Sequence, residues 1–166
     1  DDGYDPFHWS HHPQPDWEEN EYTKWLTEKG EDWFELQGEE ISPYVQIGPP
    51  AELSQTTWCA EKTIDFIKVE NEKPWFFSFN CFDPHHPFDP PREYLERFKF
   101  DDMPLPRVHP EESDAKTTFQ KLDRIWAHNT PGEFQVEAMT EGDKRMVYAA
   151  YMAMVSLIDN QVGRIL

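Results

Sequence analysis

The chain has 166 residues and a formal net charge of -18, with 37% apolar and 15% aromatic residues. That length suits one domain or a large piece of one. The aromatic content excludes wholesale disorder, and 33 acids against 15 Lys and Arg exclude the basic face that nucleic acid or an anionic membrane requires.

In chain order, residues 1–50 read as a loop-rich insertion. Asp5-Pro6, His12-Pro13, Gln14-Pro15, Ser42-Pro43 and Pro49-Pro50 punctuate it, and each proline disfavours helix in the residue before it. One helix is expected from Glu18 to Lys29, stopped by Gly30. The remainder, rich in Trp and acid, is expected to wrap over a surface without forming core.

Residues 51–100 read as helix, strand and His-bearing loop. Ser54 can cap a helix over 54–69, whose apolar stripe runs through Cys59, Ala60, Thr63, Ile64, Phe66 and Ile67. After Pro74, the run from Trp75 to Phe82 has the length and bulk of a strand buried on both faces. Asp83 to Pro91 follows with four prolines in nine residues, a stiff extended loop. It stands at the C-terminal end of that strand, where open α/β sheets bind ligands.

A short helix is expected at 93–98, and residues 101–139 read as loop, broken by Met103-Pro104-Leu105-Pro106 and Thr130-Pro131-Gly132. Residues 140–166 form a long helix. Thr140 and Asp143 are spaced as a capping box, and Val147, Ala150, Tyr151, Met154, Ile158, Val162 and Ile165 step by helical intervals. The pattern reaches Leu166 with no stop signal, as expected of a segment cut from something longer. No apolar run is long enough to span a membrane, and no signal-peptide pattern is visible.

Five groups could carry chemistry. His85 and His86 lead, because imidazole donates, accepts or moves a proton near neutral pH and flanking prolines restrict the loop. His8, His11 and His12, with Asp5 or Asp16, could ligate zinc, although no Cys-x-x-Cys or His-Glu-x-x-His accompanies them. Asp1-Asp2 and Asp101-Asp102 are acid pairs of the kind that suits Ca²⁺. Asp159 is an acid among apolar positions late in a helix, read as a packing hydrogen bond. Cys59 and Cys81 form one bridge or remain two buried thiols. No Gly-rich phosphate loop and no activated Ser or Cys motif is present.

Taken together, Lys73-Pro74-Trp75-Phe76-Phe77-Ser78-Phe79, Asp83-Pro84-His85-His86-Pro87-Phe88, Pro91 and Tyr94 resemble the Pro-Phe-Phe strand and Pro-His-x-Pro-Phe loop of the type I sulfatases. Gly3-Tyr4-Asp5-x-Phe7, the helix Trp58 to Ile67, and Tyr148 to Val155 with Ile158-Asp159-x-x-Val162-Gly163-Arg164 resemble further family segments in the family order. The resemblance implies an α/β fold: part of an alkaline-phosphatase-like mixed sheet flanked by helices, with long Pro-rich loops. It makes residues 1–166 an internal segment of a single catalytic domain.

That family cleaves sulfate esters with a formylglycine nucleophile and a Ca²⁺ ion. Neither Cys59-Ala60-Glu61 nor Cys81-Phe82-Asp83 fits its Cys/Ser-x-Pro/Ala-x-Arg motif, and Ser113-Asp114-Ala115-Lys116-Thr117 lacks the Arg. Nucleophile and metal ligands are therefore expected outside this segment. The residue that carries over is His85, as a catalytic and substrate-binding group, with His86 as a second substrate contact. A sulfated small molecule or carbohydrate is the expected partner, with Trp9, Trp17, Trp25 and Trp33 able to stack on rings. A periplasmic or extracellular location is the family expectation. A phosphonate or phosphate monoester hydrolase of the same superfamily and a non-catalytic acidic binding module are the alternatives.

Overall fold

The structure, a computed structural model, describes residues 3–15, 17–69, 72–109, 111–128 and 135–166. The first helix, α1 (Glu21–Glu28), starts where the Asn20 side chain accepts the Tyr22 N–H and ends at Gly30, whose φ of 80° suits only a residue without Cβ. A two-residue turn at Pro43-Tyr44 joins β1 (Glu40–Ser42) to β2 (Val45–Gln46), an antiparallel pair. α2 (Gln55–Lys68) is capped by Ser54, whose hydroxyl accepts the Thr57 N–H, as its sequence position implies.

Further along, α3 (Arg92–Leu95), α4 (Glu112–Ala115) and α5 (Thr118–His128) precede α6 (Glu141–Ile165), which opens on a Thr140–Asp143 capping box. α6 is the spine: it packs on α2, on α3 and on a 3₁₀ turn at Phe100–Asp102. Two apolar clusters result. One joins Val45, Ile47, Tyr94 and Leu95 to Ala149, Ala150, Ala153 and Leu157 of α6; the other joins Tyr22 and Leu26 of α1 to Trp58 and Cys59 of α2.

Several expectations from the sequence change here. The first fifty residues supply core, since Tyr22 and Val45 are 0% and 2% exposed. The region 101–139 holds two helices, α4 and α5; the spacing of Phe119, Leu122 and Ile125 at successive threes was there to read. On α6 Ala150 and Met154 of the expected stripe are buried, and the buried face extends to Ala149, Ala153, Leu157 and Gln161, while Tyr151 and Val162 face solvent. Three alanines, Ala149, Ala150 and Ala153, let this face approach its neighbours closely.

The segment from Trp75 to Phe82 has no regular secondary structure and pairs with no strand among the described residues, and Trp75 and Phe76 are 51% and 76% exposed. An apolar extended segment becomes a strand only when neighbours take up its backbone groups. Among the described residues the sheet consists of β1 and β2 alone. The mixed sheet expected around this segment is therefore not formed by the described residues, which are helix-rich. Phe66 of α2 covers one side of the segment, with ring centroids 5.3 Å from Trp75 and 5.0 Å from Phe77.

Candidate active site

The loop from Asp83 to Pro91 is anchored at both ends. At its start, the Gln55 side-chain oxygen accepts the Phe82 N–H at 2.9 Å and the Thr56 hydroxyl donates to the Asp83 carboxylate. At its end, the Gln46 N–H donates to the Phe88 carbonyl and the Gly48 N–H to the Pro90 carbonyl, both at 3.1 Å. Val45 and Phe88 form a parallel bridge, so the loop's last residues lie along β2. A Cβ at Gly48 would overlap the Asp89 carbonyl oxygen, which explains glycine there.

His85 and His86 sit at the exposed crest, their rings stacked 4.2 Å apart, and the Phe82 ring lies 4.8 Å from that of His85. The His85 N–H donates to the Phe82 carbonyl at 3.1 Å, closing a tight turn. His85 Nδ1 lies 2.6 Å from the His86 carbonyl oxygen. A carbonyl oxygen only accepts, so Nδ1 carries the proton. The other ring nitrogen, Nε2, is then the one that accepts a proton in the neutral ring and gives it back in the charged ring.

Around the anchored ends of the loop lies a group of buried and half-buried polar side chains. Burial pushes the Asp89 carboxyl up to about 7, and the nearby Asp83 carboxylate adds to the rise. Burial also raises Asp83, against the opposing hydrogen bond from Thr56. The Cys59 thiol is pushed up to about 12 by burial, then by Cys81 and Asp83, and burial raises Cys81 in the same way. Tyr22 is raised by burial and by the two acids, and its hydroxyl donates to the Leu53 carbonyl at 2.7 Å. Protonated thiols at neutral pH make poor nucleophiles. Both cysteines are free; Cys59 donates to the Asn80 carbonyl and Cys81 to that of Asp83, each at 3.4 Å.

The other sequence candidates go elsewhere. His8 Nδ1 pairs with Glu21 at 2.7 Å, His11 stacks on Trp9, and His12 Nδ1 accepts the Gln14 N–H at 3.2 Å. The His11 and His12 rings meet edge to face at 5.2 Å, and among the described residues no three His, Cys, Asp or Glu side chains are grouped to hold a metal. Asp101 and Asp102 are exposed in a 3₁₀ turn, and Asp159 is exposed on α6 rather than packed. Asp1, Asp2 and Asp16 lie outside the described residues. Trp9 and Trp17 meet edge to face at 5.8 Å, whereas Trp25 and Trp33 pack on the second core cluster. Sequence reading missed Gln55, Thr56, Gly48 and Asp89. Only Asp89 had a signal, its place inside the Pro-His-His-Pro loop.

This geometry and its motifs were compared with known proteins. No family model matches the chain. It is 29% identical over 150 residues to a multifunctional alkaline phosphatase superfamily protein of Trinickia caryophylli, across 84% of this chain and 29% of that protein. It is 26% identical over 155 residues to an arylsulfatase of Clostridium perfringens, across 89% of this chain and 30% of the relative. In three dimensions it superposes on the phosphonate monoester hydrolase of Agrobacterium radiobacter with a TM-score of 0.69 at 24% identity, covering 89% of this chain and 32% of that one.

The fold is therefore similar to one part of that solved hydrolase, and the resemblance read from the motifs agrees with relatives named as an alkaline phosphatase superfamily protein and an arylsulfatase. The particular relatives are hydrolases, an arylsulfatase and a phosphonate monoester hydrolase among them. The chain spans less than a third of the length of each of the three, at 29%, 30% and 32%.

Proposed function

We propose that the chain is part of the catalytic domain of a larger hydrolase of this superfamily, a sulfatase that cleaves sulfate esters. The observation that supports this reading is His85. The family's Pro-His-x-Pro position falls on a loop pinned at both ends, with Nδ1–H committed to a carbonyl. In the charged ring, His85 Nε2–H donates to the ester oxygens or delivers its proton to the departing alkoxide, and His86, stacked on it, contacts the substrate. A location outside the cytoplasm goes with this reading.

The residues of this chain do not fit the rest of the family apparatus. Cys59 is buried and Cys81 half-buried, both are bonded to backbone carbonyls, and the described acids form no metal cluster. A formylglycine and a Ca²⁺ ion, if the parent uses them, are held by other parts of it.

The name of the Agrobacterium relative favours a second reading, a phosphonate or phosphate monoester hydrolase. One assay series on the parent protein separates the two, using aryl sulfate, aryl phosphonate monoester and aryl phosphate in parallel. The sulfatase reading expects the aryl sulfate to have the highest kcat/KM, and His85→Ala to lower it about 100-fold or more. A phosphonate or phosphate preference transfers the assignment to the second reading. No turnover of any ester would leave the acidic binding module.

A further inference from the structure

Thr56 is fully buried in the first turn of α2, with 0% of its surface exposed, and Gln55 beside it is buried too. Polar side chains at such depth must be satisfied by specific partners. Those partners are consecutive residues of the segment entering the His loop: Gln55 accepts from the Phe82 backbone, and Thr56 donates to the Asp83 side chain. Gln55 also donates to Ser10 at 3.1 Å, so its amide is held from both ends. The Asp83 carboxylate thereby rests at the N-terminal end of a 14-residue helix, the end that favours negative charge.

Between Asp83 and His85 stands only Pro84, whose ring locks its own φ. The His85 N–H is then tied back to Phe82, the other residue gripped by α2. The position of the imidazole is thus transmitted from the helix in three short steps: Thr56 to Asp83, Pro84, His85. We propose that Thr56 and Asp83 are positioning residues whose hydrogen bond sets the placement of the His85 ring against the substrate. This inference rests on the reading of His85 as a catalytic group.

The test is a double-mutant cycle in the full-length protein, with kcat and KM measured for each variant. Thr56→Val replaces the hydroxyl by a methyl of similar size. It is expected to lower kcat about tenfold while KM stays within about twofold, because misplacement of a catalytic group weakens the chemical step. Thr56→Ser, which keeps the hydroxyl, is expected to restore kcat to within about twofold of the unmodified protein. In a His85→Ala background, Thr56→Val is expected to add less than about a twofold loss, since its effect runs through the absent ring.

Losses that multiply in the double variant overturn the positioning role and leave that of His85 standing. An unchanged kcat for His85→Ala overturns both. Should Thr56→Val fail to fold, Thr56→Ala, a better helix former at the same position, enters the same cycle and is read in the same way.

Discussion

Asp89 shows how burial converts an ordinary acid into a pH-sensitive element. Its carboxyl rises from 3.8 to about 7, so the folded protein holds its proton across a range where the unfolded chain has released it. The unfolded state therefore binds fewer protons between those values, and stability falls as pH rises from about 4 to about 7, then levels off. Asp83, itself raised, extends the same trend. Asp89→Asn removes the ionisation while keeping the shape. Unfolding of the full-length protein in urea at pH 5 and pH 8 should show the variant gaining at pH 8, by at most about 4 kcal/mol, and by less than about half as much at pH 5. Equal shifts at both pH values would mean that Asp89 is ionised in the folded state from the start.

At the scale of elements, the His loop is held by two supports of different origin. One is α2, through side chains; the other is β2 and its continuation to Gly48, through backbone hydrogen bonds. The second support depends on a missing side chain, because the Asp89 carbonyl occupies the space a Cβ would need. Gly48→Ala is expected to push the two segments apart, at a cost of about 2 kcal/mol, within the range of overpacked cores. Hydrolytic activity should fall with it, since the far anchor of the His85 loop is lost. A variant with unchanged denaturation midpoint and activity would show that the loop needs only its α2 anchor.

On the whole-molecule scale, the core is split into two clusters bridged mainly by α2 and α6. Trp75 and Phe76 remain on the surface of a segment that no described strand pairs. The apolar side chains and backbone groups of such a segment gain their stabilisation only when a sheet forms around them. Residues 1–166 produced alone are therefore expected to unfold over a broad thermal range and to show no Ca²⁺-dependent aryl-sulfate hydrolysis. A sharp cooperative transition by calorimetry, or measurable turnover, would refute the view that the fold is completed by further chain.

Elements decided by local chemistry were legible from the residues. Ser54, Gly30 and the Thr140–Asp143 pair mark helix ends because caps act within a few residues of themselves. The Pro-His-His-Pro loop was legible for the same reason: proline stiffness and imidazole chemistry need no distant partner. What depended on distant partners was not legible. That Ala149, Ala153 and Leu157 join Ala150 and Met154 in the buried face of α6 was set by its neighbours, and no described strand pairs with Trp75 to Phe82. Among the described residues His8 turns to Glu21, His11 to Trp9 and His12 to the Gln14 N–H, contacts that their spacing in the sequence does not reveal. Thr56, Gln55 and Gly48 look like ordinary helix and turn residues in the sequence. They hold the candidate active site only because packing brings α2 and β2 against the two ends of one loop.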